Sequence, residues 1–315
     1  MENNFDREVS VEDFAESFGT TVEDIGQECR EIIKQSDFKY RIIKGKERDD
    51  VFLSVLKKLE TDRQVIGAPE RTDQWEKGWN ENLQEFLKSG GEIGKLIPKF
   101  IRPNQPIRFM GEYIMPSNSN FEHDYFSVFR CWLFTKYFKD FNDIYEFGAG
   151  SGFNLVPLAK MYPEKNIYGS DFVPSSPELI NQIAKKFNLK IEGMLFDMRH
   201  PDESYKIKPG SAVFTAGTME QLASDFEPFL QYLFKNPFSL CIHSEPIVEE
   251  YDENILFDYL AARFHRKRGY TEGLLPRLKE LEKEGKIEIL KIKRLFFGSL
   301  FMEGFTLIIW QPKKI

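Results

Sequence analysis

The sequence predicts an α/β protein whose doubly wound, mostly parallel sheet closes on an antiparallel strand pair, with a helical region ahead of it. Three observations carry this. From Asp143 onward, short apolar runs alternate with helix-period segments. The first of these runs ends in a glycine-rich turn, "EFGAGSGF", that leads straight into a helix. The last two runs, "KIEILKIKRLFFG" and "FTLIIWQP", are joined only by "SLFMEG". That connector is too short for a parallel crossover, so the pair must be antiparallel.

The first elements are helical. "SVEDFAESF" and "TTVEDIGQECREIIKQ" begin with Ser or Thr and acidic residues, as helix N-termini do. "DDVFLSVLKKLE" and "DQWEKGWNENLQEFLKSGG" carry apolar residues at helical spacing, the latter ending on glycines. Trp75 and Trp79 lie one turn apart, which suits a packing stripe or a lid over a pocket. "PKFIRPNQP" reads as a linker, so residues 1–104 are expected to form a helical lid or dimerisation region. Residues 105–140 then form a connection: an extended "IRFMGEYIMP" and an aromatic helix, "FEHDYFSVFRCWLFTKYF".

Residues 141–315 make the main domain. "DIYEFGAG", "NIYGSDF", "KIEGMLFDM", "SAVFTAG" and "FSLCIHSEP" read as strands. "GFNLVPLAKMY", "SSPELINQIAKKFN" and "DFEPFLQYLF" read as the intervening helices, and a longer helical stretch runs from about Glu253 to Lys283. Ser176 is the expected cap of the second helix, with Pro177 in its first position.

Composition narrows the function classes. The chain of 315 residues has 30 phenylalanines, enough for a large core, and a formal charge of -7. A nucleic-acid binder normally shows a basic footprint, so nucleic acid is not an expected partner. No run approaches the roughly 18 apolar residues of a membrane span, and the polar N-terminus "MENNFDREVS" is no signal peptide. Cys29, Cys131 and Cys241 are scattered, odd in number and without a CxxC pair. A cytoplasmic protein without disulfides or a zinc site is expected.

Glycines cost backbone entropy, so Gly148, Gly150 and Gly152 need a reason. A strand that meets glycines and then a helix is a ligand-binding turn: the helix start offers free amides, and glycine admits a ligand to the backbone. The dinucleotide pattern GxGxxG would need glycine where Phe153 stands. The observed E-x-G-x-G-x-G, from Glu146 to Gly152, resembles motif I of the class I S-adenosylmethionine-dependent methyltransferases. Asp171 and Asp197, at the ends of the next two strands, and the closing strand pair extend the likeness.

The resemblance implies a Rossmann-like seven-stranded sheet and S-adenosylmethionine as cofactor. It implies that Asp171 holds the ribose hydroxyls, Asp197 the adenine amino group and Glu146 the methionine end. Gly148, Ala149, Gly150, Gly152, Asn154, Phe172, Met198 and Thr215 would complete the cofactor site. "TAGTMEQL" lacks the Asn/Asp-Pro-Pro-aromatic signature of enzymes that methylate nucleobase amino groups.

Chemistry is expected at the carboxyl ends of the fourth and fifth strands, which should converge. These ends supply Thr218, Glu220 and Gln221, and His243, Ser244 and Glu245. His243 is the leading candidate base, with Glu245 to orient it; Glu220, His265 and His123 are the other candidates. Glu220, His243 and Glu245 are residue types that bind metal, but the acidic motif of magnesium-dependent O-methyltransferases is not recognisable, and no metal is expected. His200 is read as structural. "ARFHRKRGY" is either a solvated helix face or a contact to an anionic group.

The expected function is methyl transfer to a small-molecule acceptor at a hydroxyl, such as that of a sugar or glycan precursor, with an anionic acceptor among the options. A methyltransferase for a protein or natural-product intermediate, and a non-catalytic interaction protein of the same fold, are the alternatives. A homodimer is the expected assembly if the helical region serves dimerisation.

Overall fold

A computed structural model describes residues 5–66 and 69–313. The chain opens with β1 (Arg7–Glu8), α1 (Val11–Phe18), α2 (Gln27–Gln35), β2 (Lys39–Ile42), α3 (Gly45–Thr61) and α4 (Pro69–Lys88). α1 starts on a reciprocal capping box, in which Ser10 accepts from the Asp13 amide and the Asp13 carboxylate accepts from the Ser10 amide. α2 begins later than its sequence suggests, because Thr20–Ile25 is spent on turns.

Next come β3 (Ile107–Phe109), β4 (Glu112–Pro116) and α5 (Phe121–Tyr137). The alternating part contains β5 (Asp143–Phe147), α6 (Leu155–Met161), β6 (Asn166–Asp171), α7 (Ser175–Phe187), β7 (Ile191–Leu195), β8 (Ala212–Ala216), α8 (Glu227–Phe234) and β9 (Leu240–Glu245). The chain closes with α9 (Leu256–Arg268), α10 (Leu274–Lys283), β10 (Ile287–Arg294), β11 (Phe297–Gly298) and β12 (Thr306–Pro312).

The main sheet has seven strands in the order β10-β12-β9-β8-β5-β6-β7. β7, β6, β5, β8 and β9 are parallel, and β12 is antiparallel to both of its neighbours. This is the doubly wound sheet with a closing antiparallel pair that the sequence predicts. The chain leaves β5 on one side to make β6 and β7, then returns to the other side to make β8. The switch point therefore lies between β5 and β8, where a crevice opens outside the strand ends.

Three local expectations need correction. α7 starts at Ser175 behind Pro174, with no side-chain cap, so Ser176 is inside the helix and not its cap. Its hydroxyl instead donates to the Gly150 carbonyl at 2.5 Å. The stretch from Glu253 to Lys283 is two helices, broken where Gly269 and Gly273 take positive φ of 62° and 89°. "RLFFG" does not continue β10; its end forms β11, which belongs to a second sheet.

That second sheet, β1-β2-β4-β3-β11, is antiparallel throughout. A boundary at residue 104 runs through it, between β2 and β4. Residues 1–104 thus combine α1–α4 with two strands, and they share a sheet with β3, β4 and β11. A buried ionic cluster ties this sheet to the main domain. Arg294 holds Asp258 at 2.7 Å and Glu303 at 2.5 Å, and Arg108 on β3 donates to the Phe257 carbonyl at 3.0 Å.

Strand parity divides the core. Ile144, Phe214, Ile242, Leu307 and Ile309 face α5 and the first helices. Tyr145, Phe147, Val213, Cys241, Ile308 and Trp310 face the opposite way, toward α8 and α10. Because side chains alternate along a strand, this parity decides which polar residues reach the crevice. Among the described residues no helix is long and apolar enough to cross a membrane.

Candidate functional site

The turn after β5 is held open by backbone geometry. Gly148, Gly150 and Gly152 all have positive φ, at 77°, 53° and 74°. L-residues adopt this region at a cost, which glycine escapes. Space adds a second demand at two of them. A Cβ at Gly148 would lie 2.6 Å from Thr218 Cβ, and one at Gly150 would lie 2.7 Å from the Trp79 ring. The turn is also sewn to β6: the Gly148 and Ala149 amides donate to the Ser170 carbonyl at 2.7 and 2.8 Å. The Gly150 amide donates to Asp171 at 3.0 Å.

A cavity of about 1550 Å³, including its open mouth, lies at the switch point. Glu146, Gly148, Ala149, Gly150, Asn154, Asp171, Phe172, Asp197 and Met198 line it, so the turn and the ends of β6 and β7 converge as the sequence suggests. Gly152 and Thr215 do not line it. Gly152 faces Ile180 and Ile183 of α7, and Thr215 sits on the opposite face of β8.

Glu146 is buried, accepts a 2.7 Å bond from Asn154, and has a second oxygen without a partner among the described residues. Burial pushes its pKa up to about 8. Burial also raises Asp171, to about 6, against the opposing amide bonds from Gly150 and Val173. Asp197 is more open, and accepts from the Arg199 amide at 2.9 Å.

The five candidate catalytic residues are placed differently from the expectation, and none lines the cavity. His243 is on the α8 face of β9, fully buried, and stacks near Trp310 with ring centroids 6.2 Å apart. It bonds Thr215 Oγ1 at 2.9 Å and lies 3.5 Å from Cys241 Sγ. Burial lowers its pKa to about 3, so its imidazole has little pull on a proton. Parity explains the error: Ser244, one residue on, faces the cavity and His243 cannot.

Glu245 shares the His243 face and receives the loop after β8, with the Glu220 amide at 3.5 Å. It does not orient the imidazole; Thr215 and Cys241 do. Burial raises Glu245 to about 7, and burial with the neighbouring Glu245 charge raises Glu220 to about 8. His265 donates to the Thr271 carbonyl at 2.8 Å and is buried in the α9 turn. His123 lies 3.0 Å from Asp124, half-exposed beside Phe153. His200 is exposed and contacts Asp197 at 3.1 Å.

The basic run in α9 is spent on local pairs. Arg266 holds Glu253 at 2.7 Å, and Arg268 holds Asp62 at 2.6 Å. Neither lines the cavity, so this run is not the anion contact.

The other half of the cavity comes from residues that carry no motif in the sequence. α5 brings Phe126, Phe129, Arg130, Leu133 and Phe134; Phe214 and Phe305 add to the apolar wall. The helical spacing of α5 is visible in the sequence, but not which of its aromatics stop short of the sheet. Arg130 caps the turn from outside, donating to the Phe153 carbonyl at 2.8 Å and to Ser127 at 3.1 Å. Its guanidinium stacks 3.8 Å from the Phe153 ring centroid, which gives that residue a role no glycine could fill.

α4 lies across the mouth. Arg71, Thr72, Trp75 and Trp79 line the cavity with Phe100 and Ile101; the tryptophans stack on each other, centroids 5.5 Å apart, and Trp79 is set over Gly150. Glu76 fastens the helix, accepting from the Ser175 amide and hydroxyl at 3.1 and 3.0 Å. Ser151 donates to the Leu96 carbonyl at 2.6 Å, which tethers the segment that follows α4.

Fold and site together define a doubly wound α/β domain with an open-mouthed cavity at the carboxyl edge of its sheet. No family model matches the chain, and no curated protein matches it. Solved structures similar to it include the N-terminal domain of EvdMO1 with SAH bound (TM-score 0.43, 14% identity, 72% of this chain and 97% of that one). Magnesium protoporphyrin IX methyltransferase from Synechocystis PCC 6803 with bound SAH has a TM-score of 0.41 and 12% identity, over 60% of this chain and 81% of that one. A SAM dependent methyltransferase from Aquifex aeolicus has a TM-score of 0.35 and 17% identity, over 54% and 81%. At these scores the likenesses carry no functional assignment.

Proposed function

We propose that the protein is an S-adenosylmethionine-dependent methyltransferase for a small-molecule acceptor with an apolar body, methylated at an oxygen. The observation that carries this is the convergence of a bare glycine turn, Asp171 and Asp197 on one half of a cavity whose other half is aromatic. The residues fit the cofactor. Gly148 and Gly150 give the turn a left-handed backbone that lines the cavity, Asp171 offers two carboxylate oxygens to a diol, and Glu146 keeps an unpartnered oxygen for a cationic group. Bound there, S-adenosylmethionine would supply an electrophilic sulfonium methyl.

The protein's own part is placement. Phe126, Phe129, Leu133 and Phe305 hold an apolar acceptor body against the turn, and Trp75 and Trp79 exclude water from above. A near-attack arrangement of this kind is worth an effective molarity of about 10⁵–10⁸ M. Ser244, with a buried hydroxyl that has no partner among the described residues, is the group placed to bond an accepting oxygen. The aromatic walls favour a flat apolar acceptor over a sugar, and the cover of α4 favours a small molecule over a protein surface. With three free cysteines, a reducing cytoplasm is the compartment that suits this reading.

Calorimetry tests it. S-adenosylhomocysteine should bind and NAD should not, and Asp171→Ala should weaken binding by about 1.5–3 kcal/mol, the range for hydrogen bonds to a charged group. Preference for NAD would overturn the proposal; unchanged affinity in Asp171→Ala would remove that carboxylate from the site.

A further inference from the structure

We propose that Arg71 forms an anion-binding subsite in the acceptor half of the cavity, so that the acceptor is an apolar carboxylic acid. This rests on the small-molecule reading above and names its substrate class.

Three arginines line the cavity: Arg71, Arg130 and Arg199. Two are committed. Arg130 donates to the Phe153 and Phe126 carbonyls and to Ser127, and Arg199 faces Asp197 at 3.7 Å. Arg71 differs. Its one hydrogen bond among the described residues goes to a neutral group, from Nη2 to Gln221 Oε1 at 2.9 Å. Its Nε is buried without a partner, and its guanidinium lies 5.5 Å from the Trp75 ring centroid.

Among the described residues, the carboxylates near it are taken. Asp62 pairs with Arg268 at 2.6 Å, and Glu220 accepts from Gln221 Nε2 at 2.7 Å. Burial and the adjacent Glu245 raise the Glu220 pKa, to about 8, which weakens it as a counter-ion for Arg71, and no hydrogen bond joins the two among the described residues. A half-buried guanidinium left without an anion is unfavourable, and a ligand carboxylate would complete it. The guanidinium fork matches a planar carboxylate in two parallel bonds. A phosphate dianion would call for more than one free cation, and the remaining walls are mostly Phe, Leu, Ile and Trp, with Thr72, Thr218, Gln221 and Ser244 the neutral polar exceptions. One charge on a flat apolar body is the chemistry that fits.

The experiment uses the full chain saturated with S-adenosylhomocysteine. Indole-3-acetate, 4-hydroxycinnamate and 2-naphthoate are titrated beside their primary amides. At least one acid should bind more tightly than its amide. Arg71→Met should weaken that acid about 10–150-fold, the loss of a hydrogen bond to a charged group, and leave the amide unchanged. Arg71→Lys should fall between, since it keeps the charge and loses the fork. Equal binding of acids and amides, no binding of any acid, or Arg71→Met binding acids as the wild type does would overturn the proposal. Should Arg71→Met not fold, the acid–amide difference on the wild type decides alone. If S-adenosylhomocysteine fails to bind while acids still outbind amides, the cofactor reading falls and the anion subsite stands.

Discussion

Glu146→Gln should make the protein more stable and less able to bind cofactor. The carboxyl is buried at the end of β5, and burial raises its pKa from 4.5 to about 8. In the unfolded chain the same group ionises near its ordinary value. Between those values the native state holds a proton that the unfolded state releases, so stability falls as pH rises. A glutamine mimics the protonated acid: its carbonyl still accepts from Asn154, and its amide replaces an oxygen that has no partner. The gain over wild type is then the work of keeping the proton on, about 3 kcal/mol at pH 7 and under about 1 kcal/mol at pH 5. It levels off above the folded pKa. Urea unfolding of both proteins at pH 5, 7 and 9 measures this, and calorimetry at pH 7 should show at least a tenfold loss of S-adenosylhomocysteine affinity, as expected for about 1.4 kcal/mol or more. A variant that is less stable at pH 7, or a gain that does not change with pH, would refute the idea that Glu146 is a buried acid retained for a ligand.

Two further perturbations separate scaffold from chemistry. Gly148→Ala should cost about 2–4 kcal/mol in urea unfolding, since a left-handed φ is forced on alanine and its methyl runs into Thr218; a loss below half a kilocalorie would mean the turn yields easily. His243→Gln should leave turnover within about threefold, well short of the 10²–10⁴ loss of a working acid–base group. It should change the acid limb of stability instead. The imidazole is held neutral in the fold and protonates near 6.5 when unfolded, so wild type loses about 1.4 kcal/mol per pH unit below that value and the variant does not. A hundredfold fall in turnover would return His243 to the active site.

The alternation that makes the sheet was legible because β5 to β9 are short apolar runs cut by turn residues. The turn itself was legible because positive φ leaves glycine as its mark at positions 148, 150 and 152. Asp171 and Asp197, at strand ends, were singled out by the family resemblance, and both line the cavity. What failed was the step from position to direction. His243 and Ser244 are both at the end of β9, and only the parity of Ile242 and Ser244 against Cys241 and His243 separates the cavity from the far core. That parity is weakly written in a strand buried on both faces, where each side carries both apolar and polar residues. The second sheet was illegible for another reason: β1 and β11 are two residues long, and their partners lie far away in the chain. Glu76 sat in a helix pattern whose tryptophan pair hinted at a lid, whereas Arg71 lay ahead of that pattern, in a turn of α4 that the sequence did not mark.

Burial sorts the polar groups into those that are finished and those that wait. His243 has both ring nitrogens engaged, and Asp258 is gripped by Arg294; each is satisfied by its own fold. Three groups at the cavity are not: Glu146 Oε2, Arg71 Nε and Ser244 Oγ are buried without partners among the described residues. An unmade bond at such a depth costs about 1–3 kcal/mol, more for a charged group. The three differ in kind. One is an acid beside the glycine turn, one a guanidinium under the tryptophan pair, and one a hydroxyl at the end of β9. A lone cation or a lone anion cannot satisfy all three, because the acid wants a donor and the guanidinium wants an anion; a zwitterion could meet two of them. Two ligands can: a cofactor with a cationic end at Glu146, and an acceptor whose carboxylate meets Arg71 and whose accepting oxygen lies near Ser244. On the proposed reading, the unmet bonds are divided between the two substrates that methyl transfer requires.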